Sequence, residues 1–241
     1  MLNTRLSVGL GGAFANFISW RVAFVSFALL AFCAAALLNK LPQDFSPSAN
    51  CNFLLEIKRV TLSPKGKVIF PLALGAGFLL LGIYSFLGAF LHEIAGLDYV
   101  QVGIVVMFYG FACLLAGSQV GRLGEKIGHQ KTIITGGILA LFSVLTLTVA
   151  PSWQAGWLAA VSLGFGYIFV QSTLATIAFD VASENKGLPS ALVGLGLFGG
   201  GGLGTAFGSL LLFQGSYQNL WLYLGAGIVI LIFITAKLRF K

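Results

Sequence analysis

Charge is scarce in this sequence: Asp, Glu, Lys and Arg make up 9% of its 241 residues, against about 25% in an ordinary soluble domain. With 58% hydrophobic residues and a mean hydropathy of +0.95, a water-soluble globular domain is excluded. Cysteine is sparse as well. Cys33 and Cys113 fall in apolar runs and Cys51 in a polar segment, which argues against a disulfide framework and for free thiols. The three cysteines and the pair His92-Glu93 lack metal-ligand spacing, and no nucleophile stands in a pattern with a base, so no enzyme, metal or cofactor is expected. No Asp, Glu, Lys, Arg or His lies near the centre of an apolar run. That absence excludes a retinal protein, which needs a mid-membrane lysine, and leaves no visible proton-coupling acid. A channel would carry a continuous polar stripe along a helix, and none is found.

What the sequence has is length of apolar run. Seven runs, near 20–39, 67–91, 99–120, 131–150, 155–179, 188–213 and 219–238, match the roughly 20 residues that a helix needs to cross about 30 Å of hydrocarbon. They lack the ten-residue alternation of barrel strands, and a backbone inside lipid must satisfy its own hydrogen bonds, so helices are the consistent solution. The fold class is an all-α integral membrane protein. A net charge of +7 raises nucleic acid as a partner, but the charges lie beside apolar runs rather than on a basic stripe, and nucleic acid is set aside. Lys40, Lys58, Arg59, Lys65 and Lys67 share one connection, Arg122, Lys126 and Lys131 another, Lys186 a third, and Lys237, Arg239 and Lys241 the C-terminus. These alternate with connections at 92–98, 151–154 and 214–218 that contain no Lys or Arg. The positive-inside rule then places residues 40–66 and the C-terminus in the cytoplasm.

Residues 9–14 read Gly-Leu-Gly-Gly-Ala-Phe and residues 202–207 read Gly-Leu-Gly-Thr-Ala-Phe, each followed by a short break and another spanning run. On this pattern the same helix pair occurs twice, as in transporters built from two parallel halves. On that reading residues 5–18 are the end of a helix already under way, since 14 residues rise only about 21 Å, and four earlier helices are missing. Between the first two spanning runs, Pro42, Pro47 and Pro64 with Ser46, Ser48 and Asn50 compose a linker. Within it Phe53, Leu54, Ile57 and Val60 are spaced for a short amphipathic helix on the membrane surface, with a solvated linker as the alternative.

The segment after the third run reads Gly117-Ser-Gln-Val-Gly121-Arg122-Leu123-Gly124-Glu125-Lys126-Ile127-Gly128-His129-Gln130-Lys131. It resembles the cytoplasmic loop motif of the major facilitator superfamily: Gly, any, Leu, small, Asp, basic, any, Gly, basic, basic. Gly121, Leu123, Gly124, Lys126 and Gly128 match; Glu125 replaces Asp, His129 and Gln130 stand at basic positions, and Lys131 comes one place late. The resemblance implies a partial major-facilitator fold of about seven full helices and one truncated helix: residues 1–39 as the end of the fifth helix and the sixth, 40–66 as the central cytoplasmic loop, and 67–241 as the C-terminal six-helix half. It further implies alternating access, with Gly121 to Gly128, including Arg122, as the cytoplasmic gating motif. Glycine supplies the tight turn, and the acid pairs with a base or a helix N-terminus of the facing half.

Gly196, Gly200, Gly204 and Gly208 recur every four residues and form a smooth face for close helix packing, expected at or near the junction of the two halves. Gly194-x-Gly196-x-x-Gly199 lacks the surrounding strand of a nucleotide fold. Tyr84, Tyr109, Tyr167 and Gln171 are polar or aromatic residues in mid-run, as a substrate pathway requires, with interhelical hydrogen bonding as the alternative. The resemblance puts them on cavity-lining helices. Superfamily antiporters carry Gly-Pro-x-x-Gly-Gly in the fifth helix; Gly11 and Gly12 fill its last places, while Ser7 and Val8 stand at Gly-Pro. The expectation is a secondary transporter of a small molecule in the plasma or inner membrane, most like efflux members, with the lipid bilayer, substrate and a coupling proton as partners. The alternative is a non-transporting component, a half that needs a separate N-terminal half, or a homo-oligomer.

Overall fold

The computed structural model describes residues 20–38, 53–149, 152–181 and 187–238. They form helices α1 (Trp20–Leu38), α2 (Phe53–Thr61), α3 (Gly66–Glu93), α4 (Tyr99–Ile127), α5 (His129–Val149), α6 (Trp153–Ala178), α7 (Gly187–Gln214) and α8 (Tyr217–Lys237), with no strand among the described residues. Helices α3 to α8 are each long and apolar enough to cross a membrane. α1 adds 19 residues with Arg21 as their single charge. α2 occupies the amphipathic stretch inside the polar connection. The truncated helix expected over residues 5–18, the hexapeptide at 9–14, the antiporter-signature positions and Cys51 lie outside the described residues; Cys33 and Cys113 are free thiols.

Local chemistry sets the helix boundaries. α4 opens on a capping box, in which the Asp98 carboxylate accepts from the Gln101 amide at 2.8 Å and the Gln101 side chain accepts from the Asp98 amide at 3.0 Å, satisfying two donors a helix start leaves orphaned. Ser152 caps α6 in the same manner, accepting from the Ala155 amide at 3.3 Å. The motif segment is not the loop that its composition suggests. Helix α4 continues through Ile127, α5 starts at His129, and Gly128 alone, at φ +87°, turns the chain between them. Reversal in one residue needs a backbone conformation that a side chain strongly disfavours. At 29 residues α4 rises about 43 Å, longer than the hydrocarbon core. Its last two turns, bearing Arg122, Glu125 and Lys126, therefore project beyond it.

Within α3–α8 the packing has an internal symmetry. α3 packs chiefly on α7, and α6 on α4 and α5, with α5 also against α8 and α3 against α6. Exchanging the triplet α3–α4–α5 for α6–α7–α8 carries the α3–α7 contact onto α4–α6 and returns α5–α8 and α3–α6 to themselves, the pattern that two inverted three-helix repeats produce, whereas the α5–α6 packing has only a weaker counterpart in α3–α8. Lipid offers no hydrophobic drive to bring helices together, so close approach at small residues supplies the packing energy. A Cβ on Gly77 would land on the Leu197 carbonyl, and one on Gly200 on the Leu74 carbonyl, fixing α3 against α7. Between α5 and α6, Cβ atoms on Gly136 and Gly166 would approach each other's carbonyl oxygens at 2.8 and 2.6 Å. The core between these pairs contains Ile83, Leu87, Leu163, Leu174, Leu220 and Trp221, all nearly inaccessible.

Candidate functional site

Three of the four residues expected along a substrate pathway meet, although they come from three helices. The Tyr84 ring of α3 lies 4.4 Å from that of Tyr109 on α4, and Tyr109 lies 6.4 Å from Tyr167 on α6, with interplanar angles of 32° and 36°. Tyr167 is 8% exposed, while Tyr84 and Tyr109 are half-buried. Gly164 sets the spacing: a Cβ there would sit 2.7 Å from the Tyr109 carbonyl oxygen, so α4 can lie on α6 at this level only over a bare backbone. Cys113, one turn beyond Tyr109, donates its thiol to the Gly164 carbonyl at 3.6 Å. Gln171 lies one turn along α6 from Tyr167, half-buried, with no ring contact to the cluster and no hydrogen bond to a described residue. The cluster offers aromatic faces and hydroxyls, the means of binding an apolar or cationic molecule by stacking and cation–π attraction.

At the bundle end that holds the α3–α4, α5–α6 and α7–α8 connections, the structure reveals pairings that sequence reasoning missed. The Tyr217 hydroxyl donates to Glu93 Oε2 at 2.8 Å. His92 and Glu93, adjacent in sequence, engage different groups: His92 Nδ1 bonds the Leu97 carbonyl at 2.8 Å, and its ring stacks on Tyr99 at 4.1 Å. Deeper along the α3–α7 seam, Thr205 Oγ1 donates to Ser85 Oγ at 2.9 Å. Tyr217 and Glu93, and Thr205 and Ser85, are each separated by more than a hundred residues, so no local pattern pointed to these two pairs. An apolar groove of about 510 Å³ between α4 and α6 is faced by Phe108, Trp153 and Trp157, with tryptophan at the level where a bilayer interface favours it.

At the opposite end, Arg122, Glu125 and Lys126 are exposed, and none makes an ion pair among the described residues. Leu123 is half-buried against Val120 and Phe169, and a Cβ on Gly124 would lie 3.3 Å from the His129 ring, whereas Gly121 and Gly128 face open space. Gln130, at a position the motif gives to a base, donates to the carbonyls of Thr235 and Ala236, each at 2.9 Å. The glycine face of α7 lies against α3 in the same bundle: Gly196 is over Ala73, Gly200 over Leu74, Gly204 over Phe78 and Gly208 over Phe86. A second set remains uncovered among the described residues. Around Gly194, Gly199 and Gly202 of α7, and Gly103, Gly110, Gly117 and Gly121 of α4, an added Cβ would meet nothing within 4 Å.

Solved structures share this arrangement of helices. The chain is similar to the crystal structure of the peptide transporter POT in complex with sulfate, at 14% identity and a TM-score of 0.60 over 70% of this chain and 36% of the other. It is likewise similar to a mutant of the nucleoside transporter NupG, at 13% identity and a TM-score of 0.66 over 93% of this chain and 66% of the other. The chain thus spans between about a third and two thirds of these structures' length, and the likeness fixes the fold over the part they share. Residues 6–187 and 101–241 match the Major Facilitator Superfamily family model, and the chain belongs to that superfamily.

Proposed function

We propose that this chain supplies the C-terminal half of a secondary transporter that moves a small molecule across a membrane by alternating access. The observation that carries this reading is the meeting of Tyr84, Tyr109 and Tyr167 from three helices, with the unbonded Gln171 one turn away. Half a binding cavity is thereby assembled from aromatic faces and one amide. The motif from Gly121 to Gly128, with Arg122 and Lys126 free to meet a facing half, acts as the cytoplasmic gate, and Glu125 is its acid. Residues 40–66 and the C-terminus are cytoplasmic, by the distribution of Lys and Arg. The finer reading is efflux of amphipathic compounds in exchange for protons across a plasma or inner membrane.

A second reading is favoured by the uncovered glycines of α4 and α7: the bundle needs another bundle against it, either a separate N-terminal half or a second copy. The test compares the chain alone with the same chain extended by a complete N-terminal half, in vesicles loaded with a lipophilic dye. Efflux by the extended form alone, abolished when the proton gradient is dissipated, supports both the half-transporter and the proton-coupled readings. Efflux by the short chain supports an oligomer, and no flux from either form overturns the transport reading.

A further inference from the structure

The end of the bundle that bears Glu93 contains a cleft of about 540 Å³ at the meeting of α3, α7 and α8. Glu93 is the one carboxylate among its lining residues, beside the hydroxyls of Ser209, Ser216 and Tyr217 and the rings of Phe86 and Phe213. Tyr217 orients the carboxylate through its 2.8 Å hydrogen bond and is itself held in place, its ring 5.4 Å from Phe90 and 6.2 Å from Trp221. The second carboxylate oxygen accepts no hydrogen bond from a described residue. The group is thus positioned and only half used.

The three connections of α3–α8 at this end carry charge of one sign. Connections 92–98, 151–154 and 214–218 hold Glu93 and Asp98 and neither Lys nor Arg. α3 ends at Glu93 and α7 at Gln214, so two helix C-termini, negative by their dipoles, converge on the cleft against the single N-terminus of α8. As the last residue of α3, Glu93 lies where that dipole disfavours a carboxylate, and helix stability does not account for it. Along α3, Ser85 and Glu93 are eight residues apart and share the open face. Thr205, bonded to Ser85 at 2.9 Å, and Ser209 continue the same side on α7. Hydroxyls therefore line the seam from the level of Tyr84 to the cleft.

We infer that this cleft is a binding subsite for a lipophilic organic cation of the ammonium or phosphonium class, held by the Glu93 carboxylate with the rings of Phe213 and Tyr217 around it, on its way to or from the tyrosine cluster. This names a substrate class for the transport reading and rests on it. A carboxylate supplies the charge, and aromatic faces receive the apolar body by cation–π attraction. The hydroxyls take the place of water as the cation is drawn along the seam.

The test is equilibrium dialysis of tetraphenylphosphonium, and separately of neutral triphenylphosphine oxide, against the purified full chain. Glu93→Gln is expected to weaken phosphonium binding at least tenfold and the neutral probe less than twofold, with Glu93→Asp restoring most of the loss. Asp98→Asn removes the same charge from the same end outside the cleft and is expected to change neither probe by more than twofold. Tyr217→Phe leaves the carboxylate but frees it, and a loss of about threefold for the cation alone is expected. It also serves as the measure should Glu93→Gln not purify as a monodisperse protein. Unchanged phosphonium binding in Glu93→Gln, or an equal loss in Asp98→Asn, overturns the site. Flux in vesicles is read apart from binding: a Glu93-dependent affinity without flux keeps the site and removes the transport reading, whereas flux with a Glu93-independent affinity does the reverse.

Discussion

Gln130 donates its side-chain amide to the carbonyls of Thr235 and Ala236 at 2.9 Å each, joining the first turn of α5 to the last turn of α8. The final four carbonyls of a helix have no partner within it, and one side chain from across the bundle satisfies two of them. Gln130→Ala is expected to lower stability by about 1–2 kcal/mol, measured by reversible unfolding in mixed micelles. Gln130→Lys, which restores the base of the family pattern, retains a donor favoured at a helix C-terminus and is expected to lose less than half as much. Equal losses in the two variants would show that the side chain acts by packing alone.

Gly200 and Gly202 are two residues apart on α7 and face opposite environments. A Cβ at Gly200 collides with the Leu74 carbonyl of α3, while one at Gly202 meets nothing within 4 Å. Gly200→Ala is expected to force the helices apart at a cost of about 1–3 kcal/mol, whereas Gly202→Ala should stay within about 0.5 kcal/mol of the parent. Thermal unfolding in detergent distinguishes them, and matching shifts would contradict the α3–α7 contact.

If Tyr109 lies at the centre of the binding surface, between Tyr84 at 4.4 Å and Tyr167 at 6.4 Å, then Tyr109→Ala removes the ring on which an aromatic substrate stacks. Such a ring contact is worth about 0.5–1.5 kcal/mol. Affinity for an aromatic substrate should drop by roughly tenfold on that scale, with Tyr109→Phe losing less than threefold. A ligand titration followed by tryptophan fluorescence provides the values, and an unchanged affinity in Tyr109→Ala would remove the cluster from the substrate path.

Orientation is read by labelling. In a variant without native cysteines, a cysteine at Gln154, exposed at the Glu93 end, is expected to react with an impermeant maleimide on intact cells. One at Glu125, exposed beyond the other end, should react only after permeabilisation. The opposite order reverses the topology drawn from the lysine and arginine distribution.

Helix number and membrane class were legible because lipid imposes one rule on the backbone, that it satisfy itself within each segment, and run length reports that rule directly. The spans near 67–91, 155–179 and 188–213 meet α3, α6 and α7 within a few residues. α4 defeated the expectation at its end. Gly121, Gly124 and three charged residues compose a sequence that looks like a loop, yet the helix continues to Ile127 because a polar helix beyond the bilayer costs nothing in lipid and Gly128 alone can reverse the chain. For the candidate site, polarity in mid-run singled out Tyr84, Tyr109 and Tyr167, since such groups are costly in hydrocarbon wherever they point. It could not say that their rings meet while Gln171 stands one turn apart.

Taken alone, the sequence determined that this protein lives in a membrane as helices, and its motif pointed to the superfamily that the whole-chain comparison then established. Both follow from local properties: apolar length, charge between runs, and glycine at fixed spacing. Tertiary structure decided which glycines carry contacts and which lie open, that Glu93 bonds Tyr217 rather than His92, and that Gln130 holds the end of α8. Those outcomes depend on the rotation of each helix about its axis. Apolar residues surround these helices on every side, so the sequence pattern leaves the rotation open, and only the meeting of particular backbones at particular glycines sets it.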